Sequence, residues 1–140
     1  GPILLRADGS EPEILYATRE EGTIQMDGHA TFKHAVRRMA EITREAVAAA
    51  GLTLEDIDLF AYHQANARIV RAVGERLALD PAKVIDCIEK TGNMSAATIP
   101  FALEAAQRDG RLRPGARVLM GAFGAGFTWG GGVIEWGGVL

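Results

Sequence analysis

The feature that most constrains the fold is the alternation of short apolar runs with amphipathic segments along most of the chain. In residues 31–50, apolar residues recur every three or four positions and charged residues take the other side, which predicts a helix ended by Gly51. Further helices are predicted at 65–77 and 95–108, and strands at 3–6, 13–17, 57–62, 83–88, 117–122 and 128–136. Such alternation predicts an α/β fold with a mostly parallel sheet covered on both faces.

Turn signals refine this prediction at both ends of the chain. The strands at 3–6 and 13–17 flank the turn residues Asp8-Gly9-Ser10, and 20–28 is predicted to be a loop. The last two strands are joined by a Gly-rich turn, so we expect them to be antiparallel to each other.

Length and charge bound the class of protein. At 140 residues and 48% hydrophobic, the chain is long enough for one domain with its own core. Lys and Arg number 15 against 18 Asp and Glu, a formal net charge of -3, which gives no overall attraction to nucleic acid or to an anionic membrane. We therefore expect neither as a partner, and an anionic protein partner needs a local basic patch.

The single cysteine, Cys87, excludes an intrachain disulfide, and no zinc-type ligand spacing is present, so we expect no metal site. Cys87 lies in the apolar run 83–88, where cysteines usually behave as small inert hydrophobes. A lone cysteine, no secretory leader and no apolar stretch long enough to cross a membrane favour a cytoplasmic protein. Since no Met begins the sequence, we expect a piece of a longer polypeptide.

Two polar residues follow predicted strands and precede predicted helices. His63 comes directly after the strand 57–62, and Asn93 lies between 83–88 and the helix 95–108, among small residues. The carboxyl ends of parallel strands share one edge of a sheet, so both side chains can face one crevice, where a neutral His can donate a hydrogen bond or move a proton. The alternatives remain open: His63 satisfies neighbouring backbone groups, and Asn93 caps a helix or occupies a left-handed turn.

A turn unusually rich in glycine occupies residues 121–132. Backbone N–H groups exposed in such a turn can bind an oxyanion, although ordinary hairpin geometry explains the glycines equally well. A phosphate-binding loop is a poor match, because no Lys-Ser or Lys-Thr pair follows the glycines and a strand comes next.

Three segments resemble the β-ketoacyl-acyl-carrier-protein synthase III family, in its order and at its intervals. They are His63-Gln64-Ala65-Asn66, Gly92-Asn93-Met94-Ser95-Ala96-Ala97 and Phe123-Gly124-Ala125-Gly126-Phe127-Thr128-Trp129-Gly130. The resemblance, over about residues 24–136, implies one thiolase-like half with α/β/α layers around a five-stranded mixed sheet whose last strand is antiparallel. It also implies that 1–20 is the end of an amino-terminal half with its connection, and that 21–140 is the carboxyl-terminal domain.

The resemblance implies a catalytic role for two residues and one backbone amide. The family condenses an acyl-CoA primer with malonyl-acyl carrier protein, a decarboxylative Claisen condensation that starts fatty acid synthesis, through a Cys, a His and an Asn. His63 and Asn93 match the last two and are expected to hydrogen-bond the malonyl thioester carbonyl, with His63 neutral and protonated on the nitrogen that faces the substrate. The amide of Ala125 matches an oxyanion-hole donor.

The nucleophile is the departure from the family pattern. The family carries its Cys in the amino-terminal half, which has no counterpart here, and Cys87 does not match it. We therefore expect the chain to be inactive alone and to act with that half, as part of a homodimer.

Further residues match ligand positions of the family. Those expected near CoA or phosphopantetheine are Gly28, Phe32, Ala65, Arg68 and Ile69. Lys33 and Arg68 match positions that dock the acidic carrier protein, and Arg37 can extend this basic patch. No cofactor is expected beyond the CoA and carrier-protein thioesters.

Two other functions remain open. A related condensing or acyl-transfer enzyme of secondary metabolism can use the same residues, since they do not specify the primer. A free-standing, non-catalytic half that dimerises is a second possibility. Chalcone synthases share Gly-Asn-Met-Ser but lack the His-Gln-Ala-Asn run, which argues against them.

Overall fold

The computed structural model describes residues 1–20 and 22–137. The strands are β1 (Ile3–Ala7), β2 (Leu15–Ala17), β3 (Ile24–Met26), β4 (Leu59–Tyr62), β5 (Arg117–Gly124) and β6 (Thr128–Glu135). The helices are α1 (Gly28–Ala49), α2 (Ala67–Leu77), α3 (Ile88–Thr91) and α4 (Thr98–Arg108), with 3₁₀ turns at Leu54–Asp56, Pro81–Lys83 and Ser95–Ala97.

The main sheet has the order β1-β6-β5-β4. β6 is antiparallel to both of its neighbours, whereas β4 and β5 are parallel, so β1, β4 and β5 all run in one direction. The predicted α/β class, the mixed sheet and the antiparallel last strand are confirmed. In place of the expected fifth strand beside β4, the described residues form only an isolated parallel bridge between Phe60 and Val84, so the main sheet has four strands.

The strand predicted at 83–88 is therefore wrong beyond that bridge. The side chain of Gln64 donates to Ile85 O at 3.0 Å and accepts from Cys87 N at 3.2 Å, so a side chain satisfies backbone groups that a strand would pair in a ladder. The chain then enters the short helix α3 instead of continuing the sheet.

The pairing near the amino terminus also differs from the prediction. β1 pairs with β6, not with the segment 13–17. β2 pairs with β3 in a separate two-stranded sheet, so the predicted loop 20–28 contains a strand. The division between 1–20 and 21–140 stays a prediction, and β1 shares its sheet with β4, β5 and β6.

α1 begins where the sequence provides a strong cap. Asp27 accepts hydrogen bonds from the amides of His29 and Ala30, each at 3.0 Å, and the Ala30 bond is the main reason why the pKa of this carboxyl lies below its usual value. The helix ends before Gly51, which has φ +72°, a conformation that glycine adopts without strain.

The two faces of the sheet carry separate apolar clusters. α1 and α2 pack on one face around Met39, Ile42, Phe60 and Leu119. α4 packs on the other face, where Ala102 and Ala106 contact residues of β4 and β5. This confirms helices on both faces. Among the described residues, no helix has the length and apolar character needed to cross a membrane.

Candidate functional site

His63 is positioned by the end of β4. The preceding residue, Tyr62, is fully buried. The His63 amide donates to Gly121 O of β5 at 2.8 Å, so the pairing of β4 with β5 continues one residue past the end of β4. The half-buried ring lies 2.7 Å, Nδ1 to Oγ1, from the hydroxyl of Thr98. Burial lowers the pKa of His63, so the ring is neutral near pH 7.

Gln64 holds the backbone around His63. Its buried side chain donates to the carbonyls of Tyr62 and Ile85, each at 3.0 Å, and accepts from the Cys87 amide. Gln64 thereby ties the end of β4 to the segment that leads to α3, and fixes the residue on each side of the histidine.

Asn93 lies in the turn between α3 and α4. Its Oδ1 accepts from the Ser95 amide at 2.9 Å, as asparagine side chains often do in turns. The left-handed conformation expected for Asn93 is instead adopted by Ser95, which has φ +53°. Because the oxygen is engaged, the amide nitrogen is the end that can donate to a ligand. Asn93 is exposed and does not line the groove beside His63, whereas Ser95 and Ala96 do.

The Gly-rich turn joins β5 to β6. The carbonyl of Ala125 accepts from Thr128 Oγ1 at 3.0 Å, while its amide donates to no atom of residues 1–20 or 22–137. The turn is anchored by paired backbone bonds between Asp8 and Phe127, and the Asp8 carboxylate binds Arg38 at 2.9 Å. An amide held in this way is suited to an oxyanion.

Packing explains part of the glycine content of β6. A Cβ at Gly130 would lie 2.8 Å from Leu5 Cδ2 and 2.9 Å from Leu4 O, so β1 can approach β6 only if this position lacks a side chain. A Cβ at Gly131 would lie 3.2 Å from Met120 O on β5, which is tight but less severe. The oxyanion interpretation therefore concerns the turn around Ala125, whereas the packing interpretation concerns Gly130 and Gly131.

An open groove of about 780 Å³ is lined by His63 and by residues close in sequence to Asn93 and Ala125. Its floor is the face of β1, β5 and β6 that α1 does not cover, and one wall is residues 95–99 with His63. Gly124 and Thr128, the residues on either side of the turn 125–127, also line the groove. Ile3 and Leu5 on its rim are 69% and 75% exposed. The site is an apolar surface with a histidine at its edge.

The predicted ligand residues are only partly brought together. The guanidinium of Arg68 lies 5.7 Å from the centre of the Phe32 ring, which joins α1 and α2 at their exposed ends. Lys33 is exposed beside Phe32, and Gly28 is exposed at the start of α1. Ile69 is 8% exposed in the core, so it offers little surface to a ligand. Ala65 is half-buried, and its amide donates to His63 O.

Two residues of the site carried no sequence signal that assigned them a role. Thr98 is separated from His63 by 35 positions, and no spacing rule links a helix threonine to a histidine after a distant strand. Gln64 belongs to one of the three motifs, but its partners Ile85 and Cys87 are more than 20 positions away, so the sequence does not show that its side chain bonds their backbone groups. Burial raises the pKa of the Cys87 thiol, which disfavours the thiolate.

Comparisons with known proteins agree with the resemblance. The family model of the 3-oxoacyl-[acyl-carrier-protein] synthase III carboxyl terminus matches residues 47–136. The chain is 44% identical over 137 residues to the β-ketoacyl-[acyl-carrier-protein] synthase III of Granulibacter bethesdensis, with 94% of this chain and 42% of that protein covered. It is 41% identical over 138 residues to the Rhizorhabdus wittichii protein of the same name, with 94% and 43% covered.

A solved structure gives the same result. The β-ketoacyl-[acyl carrier protein] synthase III of Thermus thermophilus matches with a TM-score of 0.92 at 43% identity, covering 98% of this chain and 46% of that one. The chain thus spans less than half the length of these relatives. The match to the family model and the identity to its members confirm the predicted family. The chain belongs to the 3-oxoacyl-[acyl-carrier-protein] synthase III family and corresponds to its carboxyl-terminal part.

Proposed function

We propose that this chain supplies the His and Asn of a condensing enzyme that joins an acyl-CoA primer to malonyl-acyl carrier protein at the start of fatty acid synthesis. The observation that carries this proposal is the placement of His63, at the carboxyl end of β4, on the edge of an apolar groove. Such an edge is where ligands of open α/β sheets bind.

The reaction needs a group that stabilises a developing oxyanion. When the malonyl thioester loses carbon dioxide, the electron pair of the breaking carbon–carbon bond passes into an enolate, whose oxygen gains negative charge. The amide nitrogen of Asn93 and the ring of His63 would hydrogen-bond this oxygen, and single donors of this kind are worth roughly 3–4 kcal/mol in other enzymes. The proposed reaction uses no resident cofactor, since thioesters carry both acyl groups.

The nucleophilic Cys that holds the primer belongs to the proposed amino-terminal half. The exposed Ile3 and Leu5 support such a partner, because a contiguous apolar surface of this kind usually packs against protein. The enolate carbon would attack the acyl-cysteine carbonyl, and the Ala125 amide would donate to the resulting tetrahedral oxyanion. Collapse of this intermediate would break the carbon–sulfur bond and release the cysteine thiolate and the β-ketoacyl product. The complete enzyme is proposed to be a cytoplasmic homodimer.

The basic residues in the amino-terminal halves of α1 and α2 provide the proposed binding surface for the carrier protein and its phosphopantetheine. Lys33, Arg37 and Arg68 are exposed, and opposite charge speeds the approach of an acidic partner to a chain that is negative overall. Arg68 over Phe32 is a flat cationic and aromatic surface that suits a nucleotide base. Gly28 and Ala65 complete the proposed contacts, together with the small exposed part of Ile69.

The test is reconstitution. The chain is co-expressed with the polypeptide encoded immediately upstream, and carbon dioxide and acetoacetyl-carrier protein are measured from acetyl-CoA and malonyl-carrier protein. We expect turnover that is lost in His63→Ala and Asn93→Ala. Asn66→Ala is the matched control for Asn93, because Asn66 Oδ1 accepts the amide of the residue two positions on, Arg68, at 2.8 Å, in the same way as Asn93 accepts that of Ser95.

Two outcomes would contradict the proposal. A well-folded complex without product from any of a range of primers would favour the non-catalytic, dimerising half. Equal losses in Asn66→Ala and Asn93→Ala would show that the turn hydrogen bond, and not a contact with substrate, explains the effect of Asn93. A product formed only from an unusual primer would favour an enzyme of secondary metabolism.

A further inference from the structure

Thr98 makes three polar contacts through one hydroxyl. Its side chain is fully buried at the start of α4. Oγ1 lies 2.7 Å from His63 Nδ1, 2.8 Å from Ser95 O and 3.3 Å from Gln64 N. These three atoms belong to the residues that surround the groove edge, so the direction of each hydrogen bond affects what the histidine can do there.

A proton count fixes these directions. A hydroxyl has one proton to donate and two lone pairs that accept. The Gln64 amide can only donate and the Ser95 carbonyl can only accept, so the hydroxyl proton points to Ser95 O. The remaining lone pair of Oγ1 faces His63 Nδ1, which must then carry a proton.

The opposite arrangement leaves a conflict. If the hydroxyl donated to an unprotonated Nδ1, two acceptor oxygens, Thr98 Oγ1 and Ser95 O, would face each other at 2.8 Å with no proton between them. Only the first arrangement gives each of the three contacts one donor and one acceptor.

We propose that Thr98 is a positioning residue that holds His63 as the Nδ1–H tautomer, so that the neutral ring presents the lone pair of Nε2 to the groove. This reverses the proton placement expected from the resemblance. Asn93 would then be the side-chain donor of the site and neutral His63 the acceptor. For condensation, a consequence that rests on the proposed function, His63 would donate from Nε2 only after gaining a second proton from solvent.

The test reads the tautomer by nitrogen-15 NMR. The protein, in the longest form that its gene encodes, is labelled with nitrogen-15 histidine and studied at about pH 8, above the ordinary histidine pKa of about 6.5. The signals that disappear in His63→Gln identify the ring. We expect a pyrrole-type shift for Nδ1 and a pyridine-type shift for Nε2.

Three variants separate positioning from general packing. Thr98→Val removes the acceptor for Nδ1–H, so the population should move toward the Nε2–H tautomer, and Thr98→Ser should restore the native shifts. Thr43→Val is the matched control, because Thr43 is equally buried but bonds Met39 O at 2.7 Å and Tyr62 Oη at 3.1 Å. This control should leave the His63 signals unchanged.

A native ring that is protonated on Nε2 would overturn the proposal, as would an unchanged tautomer in folded Thr98→Val. If Thr98→Val does not fold, the native spectrum and Thr98→Ser still decide the tautomer. Since the measurement needs no turnover, an inactive protein with an Nδ1–H ring would refute the proposed function and support this inference. An active enzyme with an Nε2–H ring would do the reverse.

Discussion

The two faces of the main sheet differ in what covers them. On one face, α1 and α2 bury large side chains such as Phe60 and Leu119, each at most 1% exposed. On the other face, α4 covers β4 and the adjacent part of β5, while Ile3 and Leu5 of β1 stay open. The closed face accounts for most of the large buried side chains, whereas the open face carries the groove.

The polar residues of the site lie at the edge of the sheet area that α4 covers. His63 follows β4 at the boundary between α4 and the groove, and Thr98 at the start of α4 contacts it. A side chain here is buried enough for its pKa to shift and open enough to meet a ligand. The following predictions test whether this division between a stabilising face and a functional face is correct.

The largest contrast is expected between Phe60→Ala and Leu5→Ala. Phe60→Ala leaves a cavity in the closed face and should lower the free energy of unfolding by about 3–5 kcal/mol. Leu5→Ala removes an exposed side chain and should change it by about 0.5 kcal/mol or less in this chain alone. Equilibrium unfolding in urea measures both.

The Leu5 result also shows what covers the open face. A loss above about 2 kcal/mol that depends on protein concentration would mean that a second copy of the chain covers β1, contrary to the comparison. When the amino-terminal half is present, the same substitution should become costly, which would support the proposed partner.

A second large effect is expected from Gln64, which ties the end of β4 to the segment that leads to α3. Gln64→Leu leaves the carbonyl of Ile85 and the amide of Cys87 without these partners, and each such buried group costs about 1–3 kcal/mol. We expect a loss of about 3 kcal/mol in urea unfolding. A loss no greater than that of the exposed cap Asn66→Ala, about 1 kcal/mol, would show that the network contributes little.

These examples show how much the sequence could predict. Helix α1 was predicted within three residues at its start, because its apolar period is long and regular. The β1–β6 pairing was missed because residues 3–6 and 128–136 are far apart in sequence and periodicity carries no partner information. The strand at 83–88 was overpredicted because a Gln64 side chain, not a strand, satisfies its backbone.

The catalytic roles of His63 and Asn93 stay predictions from the motifs. The structure shows where both residues lie and gives each side chain a hydrogen-bond partner, Thr98 for His63 and Ser95 for Asn93. The role of Thr98 could not be predicted from the sequence, because its contact with His63 depends on the packing of α4 against β4. Ile69 matches a ligand position of the family, yet the structure places it on the buried side of α2.

A moderate effect is expected where β1 closes on β6. Gly130→Ala places a Cβ within 3 Å of Leu4 O, a backbone atom that can move only if β1 shifts, so we expect a loss of about 1–3 kcal/mol. Gly124→Ala is the control, since its Cβ would meet only Thr128 Oγ1, at 3.9 Å. Equal effects on the urea midpoint would mean that β1 is loosely held.

The smallest effect concerns the charge of His63. Burial lowers the pKa of His63 below the ordinary value of about 6.5, so in the interval between the two values the unfolded chain binds more protons than the folded one. Stability should therefore decrease as the pH falls through about 6.5, and the part due to His63 should be absent in His63→Gln. Urea unfolding at about pH 7.5 and 5.5 measures this, above the range in which the lowered carboxyl pKa values of Asp8 and Asp27 act. His29→Gln should keep the decrease, because His29 is exposed. If His63→Gln retained the full decrease, the ring at the groove edge would be as well solvated as an exposed one, and the boundary between the closed and open faces would not explain its neutral state.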